Sequence, residues 1–236
     1  MKTLLLRAPG RTAGMDAETG TVAPQYTLRL AASPAEIAAA QRLRYRVFTG
    51  ELGATLRTPV PGHDVDAFDD ACDHLIVVDE TDGDVVATYR LLPPGRADIR
   101  YADSEFDLAP LAPIGDGLVE TGRSCVDPKH RDGAAINLLW AGIARYMHLH
   151  QMRYLGGCAS IGLGDGGATA AGFRTLAATK HLAPAAWRVT PRRPWIASES
   201  MPTGGRTRIP ALLRGYLRLG AWIGRASCRE RVLRLV

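Results

Sequence analysis

The stretch from Asp64 to Arg123 constrains this chain more than any other part of it. His74–Asp79 and Val85–Leu92 are β-branched runs flanking Thr81-Asp82-Gly83-Asp84, a turn sequence, and together they predict a hairpin. A run of carboxylates, Asp64-Val65-Asp66-Ala67-Phe68-Asp69, leads into that hairpin, and Arg90 lies near its end. Leu118–Val126 predicts the next strand, stopped by Asp127-Pro128, and it carries Glu120 and Arg123. Acids and guanidiniums gathered within one short stretch in this way suit a site for a small cationic or zwitterionic molecule beside a thioester. Periodicity alone does not require an enzyme.

The flanking sequence extends the pattern. Ser33-Pro34-Ala35-Glu36 supplies an N-cap residue, a proline at the first helical position and an acid in the first turn, predicting a helix from Pro34 to Phe48. Ile37, Ala40, Leu43, Val47 and Phe48 form its apolar face, and Arg42, Arg44 and Arg46 are expected to project elsewhere. Residues 53–72 hold Pro59, Pro61, Gly62 and several aspartates, which predicts a long loop of the kind that carries function. A strand over Tyr26–Ala31, a helix from about Asp132 to His150, a strand over Tyr154–Ile161, a helix over Ala168–Ala178, a strand over Trp187–Thr190 and a helix over Ile209–Leu219 complete the reading. Residues 93–116 read as a Pro/Gly-rich excursion. This order predicts a mixed α/β sheet.

Length and composition bound the class. At 236 residues, 46% hydrophobic and 22% charged, the chain can bury a substantial core and is not wholly disordered. We expect a flexible leader over 1–25, one domain over 26–224 and an atypical tail over 225–236, the last reading as a truncated or frame-altered end. The opening MKTLLLRAPG has too short an apolar run for a secretory signal, and no stretch approaches the roughly 20 apolar residues of a membrane span. Cys72, Cys125, Cys158 and Cys228 lack paired metal-ligand spacing, which fits a reduced cytoplasmic setting. Residues 1–180 hold 18 basic and 22 acidic side chains, whereas residues 181–236 hold 11 arginines and 2 glutamates. That C-terminal basicity attracts a polyanion.

RYRVF (44–48), DVDAFD (64–69), TYRLL (88–92) and ETGRSCVDPKHR (120–131), with CDHLIVVD, LLWAGIARYM and YLGGCASI, resemble the ornithine-acyl carrier protein N-acyltransferase family. That family is related to the acyl-homoserine lactone synthases within the GNAT-like superfamily. The resemblance covers roughly Tyr26 to Gly224 and implies a GNAT-like α/β fold, a mixed, mainly antiparallel twisted sheet flanked by helices. It implies transfer of a 3-hydroxyacyl chain from acyl carrier protein to the α-amine of ornithine, the first step of ornithine lipid synthesis. It also implies that Arg44, Asp64, Asp66, Asp69, Arg90, Glu120 and Arg123 form the active-site cluster.

Chemistry assigns provisional roles within that resemblance. An amine attacks a thioester only as the free base, so a carboxylate must take the ammonium proton, and Glu120 is the candidate, with Arg90 and Arg123 as its catalytic companions. Asp64, Asp66 and Asp69 are expected to hold the side-chain ammonium of a diamino acid, and an arginine its carboxylate, while Arg44, Arg90 and Arg123 neutralise the acids. Backbone N–H groups near Cys125 and Val126 are expected to hold the oxyanion, and Arg131 and Gly133, at a helix start, the phosphopantetheine of the donor. No permanently bound cofactor and no metal are expected. His148 and His150 stand two apart on a helix and share no face. The expected partners are acyl carrier protein, ornithine and, peripherally, the anionic inner face of a membrane, but not nucleic acid. The alternatives are a lactone synthase consuming S-adenosylmethionine and a non-catalytic basic membrane-surface module.

Overall fold

In the computed structural model, the described residues are 4–9, 25–51, 53–196, 209–227 and 232–235, with backbone alone for residues 9, 225–227 and 232–235. Along the chain these form β1 (Leu5–Pro9), β2 (Gln25–Leu30), α1 (Pro34–Gly50), β3 (Asp73–Asp79), β4 (Val85–Leu92), β5 (Phe106–Asp107) and β6 (Leu118–Val126). They continue as α2 (Ala134–Leu149), β7 (Tyr154–Ala159), α3 (Ala168–Lys180), β8 (Thr190–Pro191), α4 (Ala211–Arg218), β9 (Ile223–Ser227) and β10 (Val232–Leu235). No helix among the described residues is long and apolar enough to cross a membrane. The chain divides into two compact units, residues 1–96 with 122–152 and residues 97–121 with 153–236.

In the first unit β1, β2, β3 and β4 form an antiparallel ladder, with Leu28 opposite Val77 and Ile76 opposite Thr88. Strand side chains alternate between faces, so this register decides which residues meet which helix. Leu28, Val77 and Tyr89 face α2: Tyr89 meets Trp140 edge-on at 6.4 Å, and a Cβ on Gly142 would lie 2.6 Å from Leu28. Ile76 and Val78 face the other way and pack with Ala40 of α1. His74, Thr88 and Arg90 share the α1 side by the same alternation. The end of β6 is fastened to β4 by the Asp127 N–H, which donates to the Val86 carbonyl at 2.8 Å.

In the second unit Leu118–Thr121 of β6 pairs in parallel with Tyr154–Gly157 of β7, and β10 runs antiparallel to both β7 and β9. A Cβ on Gly157 would lie 2.3 Å from the Thr121 carbonyl oxygen, so only glycine permits that approach. Phe106, Leu111, Ile114, Leu118 and Val189 form one core, and Phe173, Ala177, Leu213 and Ile223 belong to another.

Most predicted elements stand within a few residues of their expected ends, and three stretches differ. Leu5–Pro9, expected within a flexible leader, pairs as a strand with β2, and residues 10–24 lie outside the described residues. The excursion over 93–116 contains 3-10 turns at Tyr101–Ser104 and Ala109–Gly117 around β5. In place of a strand over Trp187–Thr190 there is a 3-10 turn at Ala185–Trp187, followed by β8 pairing with β5. Residues 225–227 continue β9, and residues 232–235 form β10, which pairs with it.

Candidate active site

Helix α1 starts where the sequence predicts it, with Ser33 accepting the Glu36 N–H at 3.3 Å and Arg29 pairing with Glu36 at 2.5 Å. Its buried residues are Ala40, Leu43, Arg44 and Val47, a helical stripe in which Arg44 takes a core position. The expectation that Arg44 projects away from the apolar face is therefore corrected, because its side chain is 0% exposed. A buried guanidinium is tolerable only with charged, hydrogen-bonded partners. Those partners come from the aspartate loop.

Arg44 Nε donates to Asp64 Oδ2 at 3.0 Å, and Nη2 donates to both oxygens of Asp69, at 3.0 and 2.9 Å, and to the Asp64 carbonyl. Arg90, brought to the same side by the ladder, donates from Nη1 to Asp69 Oδ1 at 2.8 Å and to Asp66 Oδ1 at 2.6 Å. Arg123 reaches Asp66 Oδ2 at 2.9 Å, and its Nε lies 3.0 Å from Asp64 Oδ2. Three carboxylates and three guanidiniums thus neutralise one another in a connected lattice, as the repulsion argument requires. Arg123 adopts φ +53 in mid-strand, a strained conformation for a residue with a Cβ and one that often accompanies functional sites.

The lattice is graded from inside to outside. Asp64, Asp69, Arg44 and Arg90 are buried, whereas the side chains of Asp66 and Arg123 are each 22% exposed. Burial opposes ionisation of Asp69, but Arg44 and then Arg90 overcome it and hold its carboxyl down to about 2. Asp66 is likewise lowered, by Arg90 and Arg123 against desolvation. Sequence reasoning missed three supports. Gln41, one turn before Arg44, donates from Nε2 to Asp69 Oδ2 at 3.2 Å and accepts the Asp64 N–H on its carbonyl at 3.1 Å. His74, kept neutral by burial, lies with Nε2 3.0 Å from the Asp69 carbonyl, which fixes that nitrogen as the donor. The Phe68 ring lies 5.9 Å from the Arg90 guanidinium. The helical spacing of Gln41 and Arg44 was the one available signal.

Glu120 belongs to the second unit, where its two oxygens accept the N–H groups of Tyr101 and Ala102 at 2.8 and 2.9 Å. Arg100 fixes the same turn by donating to the Leu118 and Gly115 carbonyls.

The expected donor-side residues lie around the end of β6. The Cys125 side chain packs with Leu43 and Val47, and burial pushes its thiol up to about 12, so it is no nucleophile. Arg131 forks onto Glu51 at 2.6 and 2.9 Å and also donates to the Val126 carbonyl, which makes it an anchor of the loop before α2. Gly133 takes φ +98 as the N-cap of α2.

The comparisons with known proteins agree with this architecture. An Acetyltransferase (GNAT) domain model matches residues 43–141, a stretch that contains every member of the charge lattice. TofI, solved in a ternary complex with an inhibitor and MTA, shares the fold at a TM-score of 0.51 and 18% identity, covering 89% of this chain and 90% of that one. FeeM, an N-acyl amino acid synthase from uncultured soil microbes, does so at 0.50 and 15% identity, covering 90% of each. Fold and domain match define an acyltransferase of the GNAT class. L-ornithine N(alpha)-acyltransferase of Rhodobacter capsulatus is 40% identical over 87% of this chain and 85% of its own length, and that of Brucella abortus is 37% identical over 84% and 76%. The chain belongs to the L-ornithine N(alpha)-acyltransferase family.

Proposed function

We propose that the protein transfers a 3-hydroxyacyl group from the phosphopantetheine thioester of acyl carrier protein to the α-amine of ornithine. The observation that carries this reading is the graded lattice: a buried, self-neutralised base of four charges with one acid and one guanidinium exposed at its edge. In this reading Asp66 receives the side-chain ammonium of ornithine and Arg123 its carboxylate, the complementary ends of a zwitterion. Asp64 and Asp69 then act through position, since Arg44 and Arg90 engage them.

A carboxylate takes the proton from the α-ammonium, the role the family resemblance gives Glu120, and the freed amine attacks the thioester carbonyl carbon. The intermediate oxyanion is held by backbone N–H groups near Cys125 and Val126. The C–S bond breaks as the amide forms, and the second proton lost by the attacking nitrogen goes to the departing thiolate, which leaves as the carrier thiol. Lys129-His130-Arg131 gives the loop before α2 a basic character suited to an acidic carrier protein.

Release of the carrier thiol from 3-hydroxyacyl carrier protein, followed with a panel of amines, tests the proposal. Ornithine is expected to be the best acceptor. Glu120→Gln should lower kcat by about 10²-fold, the scale of general-base catalysis, and because both carboxylate oxygens accept backbone N–H groups, its thermal melt is read alongside. Asp66→Asn should act mainly on KM for ornithine. Absence of thiol release with every amine would sink the assignment.

A further inference from the structure

The second unit carries an arginine-rich surface to which the proposed acyl transfer gives no role. Residues 181–236 hold 11 arginines against 2 glutamates, and among the described residues Arg188, Arg192, Arg193, Arg214 and Arg218 are exposed. Leu219 directly follows Arg218 in the chain, and Trp187 directly precedes Arg188. Leu219 is 69% exposed and Trp222 38%. The Trp222 indole meets that of Trp187 at 5.2 Å between centroids, and Trp187 in turn meets Tyr154 edge-on at 5.6 Å.

This surface is built into the backbone. The Ile223 N–H donates to the His181 carbonyl at 2.7 Å, and the Ala183 N–H to the Ile223 carbonyl at 3.1 Å. These bonds hold the segment leading to Trp187 and Arg188 against the start of β9. At the other end, the Leu219 N–H donates to the Gly215 and Tyr216 carbonyls and the Ala221 N–H to the Tyr216 carbonyl, closing α4. Leu219 and Trp222 are then three residues apart, at most about 10 Å along the chain.

We infer that this surface docks the protein on an anionic phospholipid bilayer. An indole settles at the headgroup level, where its ring is buried and its N–H stays wet. An exposed leucine finds acyl chains, and the guanidiniums meet phosphate groups at the negative surface. An acidic protein partner would also attract the arginines, but a bilayer uses the arginines, the indole and the leucine together. The inference concerns a surface of the second unit and is independent of the roles given to the charge lattice.

Vesicle sedimentation of the full chain tests it, using phosphatidylcholine mixed with phosphatidylglycerol against phosphatidylcholine alone. The protein is expected to sediment with the first and not the second, and to be released by added salt. Arg218→Gln should weaken partitioning about fivefold, Leu219→Ser should weaken it as well, and neither should change the rate of acyl transfer to soluble ornithine. Leu219 is exposed enough for its replacement to leave the fold intact. Failure to sediment, equal sedimentation with both vesicles, or partitioning indifferent to Leu219→Ser and to the triple replacement of Arg188, Arg214 and Arg218 by Gln would overturn the inference. A raised KM for acyl carrier protein in these variants, with vesicle binding unchanged, would make the carrier the occupant and overturn it equally.

Discussion

Arg44 occupies a position in α1 that packing alone would give to leucine, between Leu43 and Val47 on the buried stripe. Its stability depends on Asp69, which also receives Arg90. Asp69→Asn should therefore destabilise the protein by about 3–5 kcal/mol, the scale for a buried charge stripped of its partner, measured by urea denaturation. Asp66→Asn, at the partly exposed edge, should cost much less. The pH dependence has a definite sign. The Asp69 carboxyl is held down to about 2 from an ordinary 3.8, so its contribution is complete above about pH 4 and is lost as pH falls toward 2. His74 is also lowered, from 6.5, so its contribution starts to fade as pH drops below that value. Acid titration of the unfolding free energy should show both phases, with Asp69→Asn removing the lower one. The members of this lattice were legible as residue types in a motif, but their pairing was not. The one spacing clue, Arg44 in register with Ala40 and Val47, is a helical stripe that a charge contradicts until its partners are known.

At the scale of elements, the sequence was most readable where local chemistry acts alone. The cap at Ser33, the Asp-Gly turn between β3 and β4 and the proline after β6 each fix an end without tertiary help. The segment over 93–116 was opaque because short 3-10 turns have no apolar period, and their packing partners, such as Val189, lie far along the chain. Pairing of parallel strands is equally nonlocal, and Gly157 shows what it demands. Gly157→Ala would drive a Cβ to 2.3 Å from the Thr121 carbonyl, forcing β6 and β7 apart. A loss of about 1–3 kcal/mol, the usual range for overpacking, is expected in thermal melts. Gly142→Ala should be milder, since it presses on the movable side chain of Leu28.

At the scale of the whole molecule, neither compact unit is built from one continuous stretch. Residues 97–121 look like an insertion in the sequence, yet they supply Phe106, Leu111, Ile114 and Leu118 to a core of the second unit. Replacing 97–116 by a short flexible linker should thus abolish soluble expression, whereas a dispensable surface loop would tolerate it. The tertiary role of that stretch was hidden because its partners in that core, Tyr154, Cys158, Trp187 and Val189, come after residue 150. The same dispersal governs synthesis of the chain. Arg44 leaves the ribosome before either of its acidic partners, Asp64 and Asp69, which follow 20 and 25 residues later. Because the guanidinium cannot shed its hydration alone, a nascent α1 stays undocked until those aspartates emerge, and the first unit closes only after residues 122–152 have followed them.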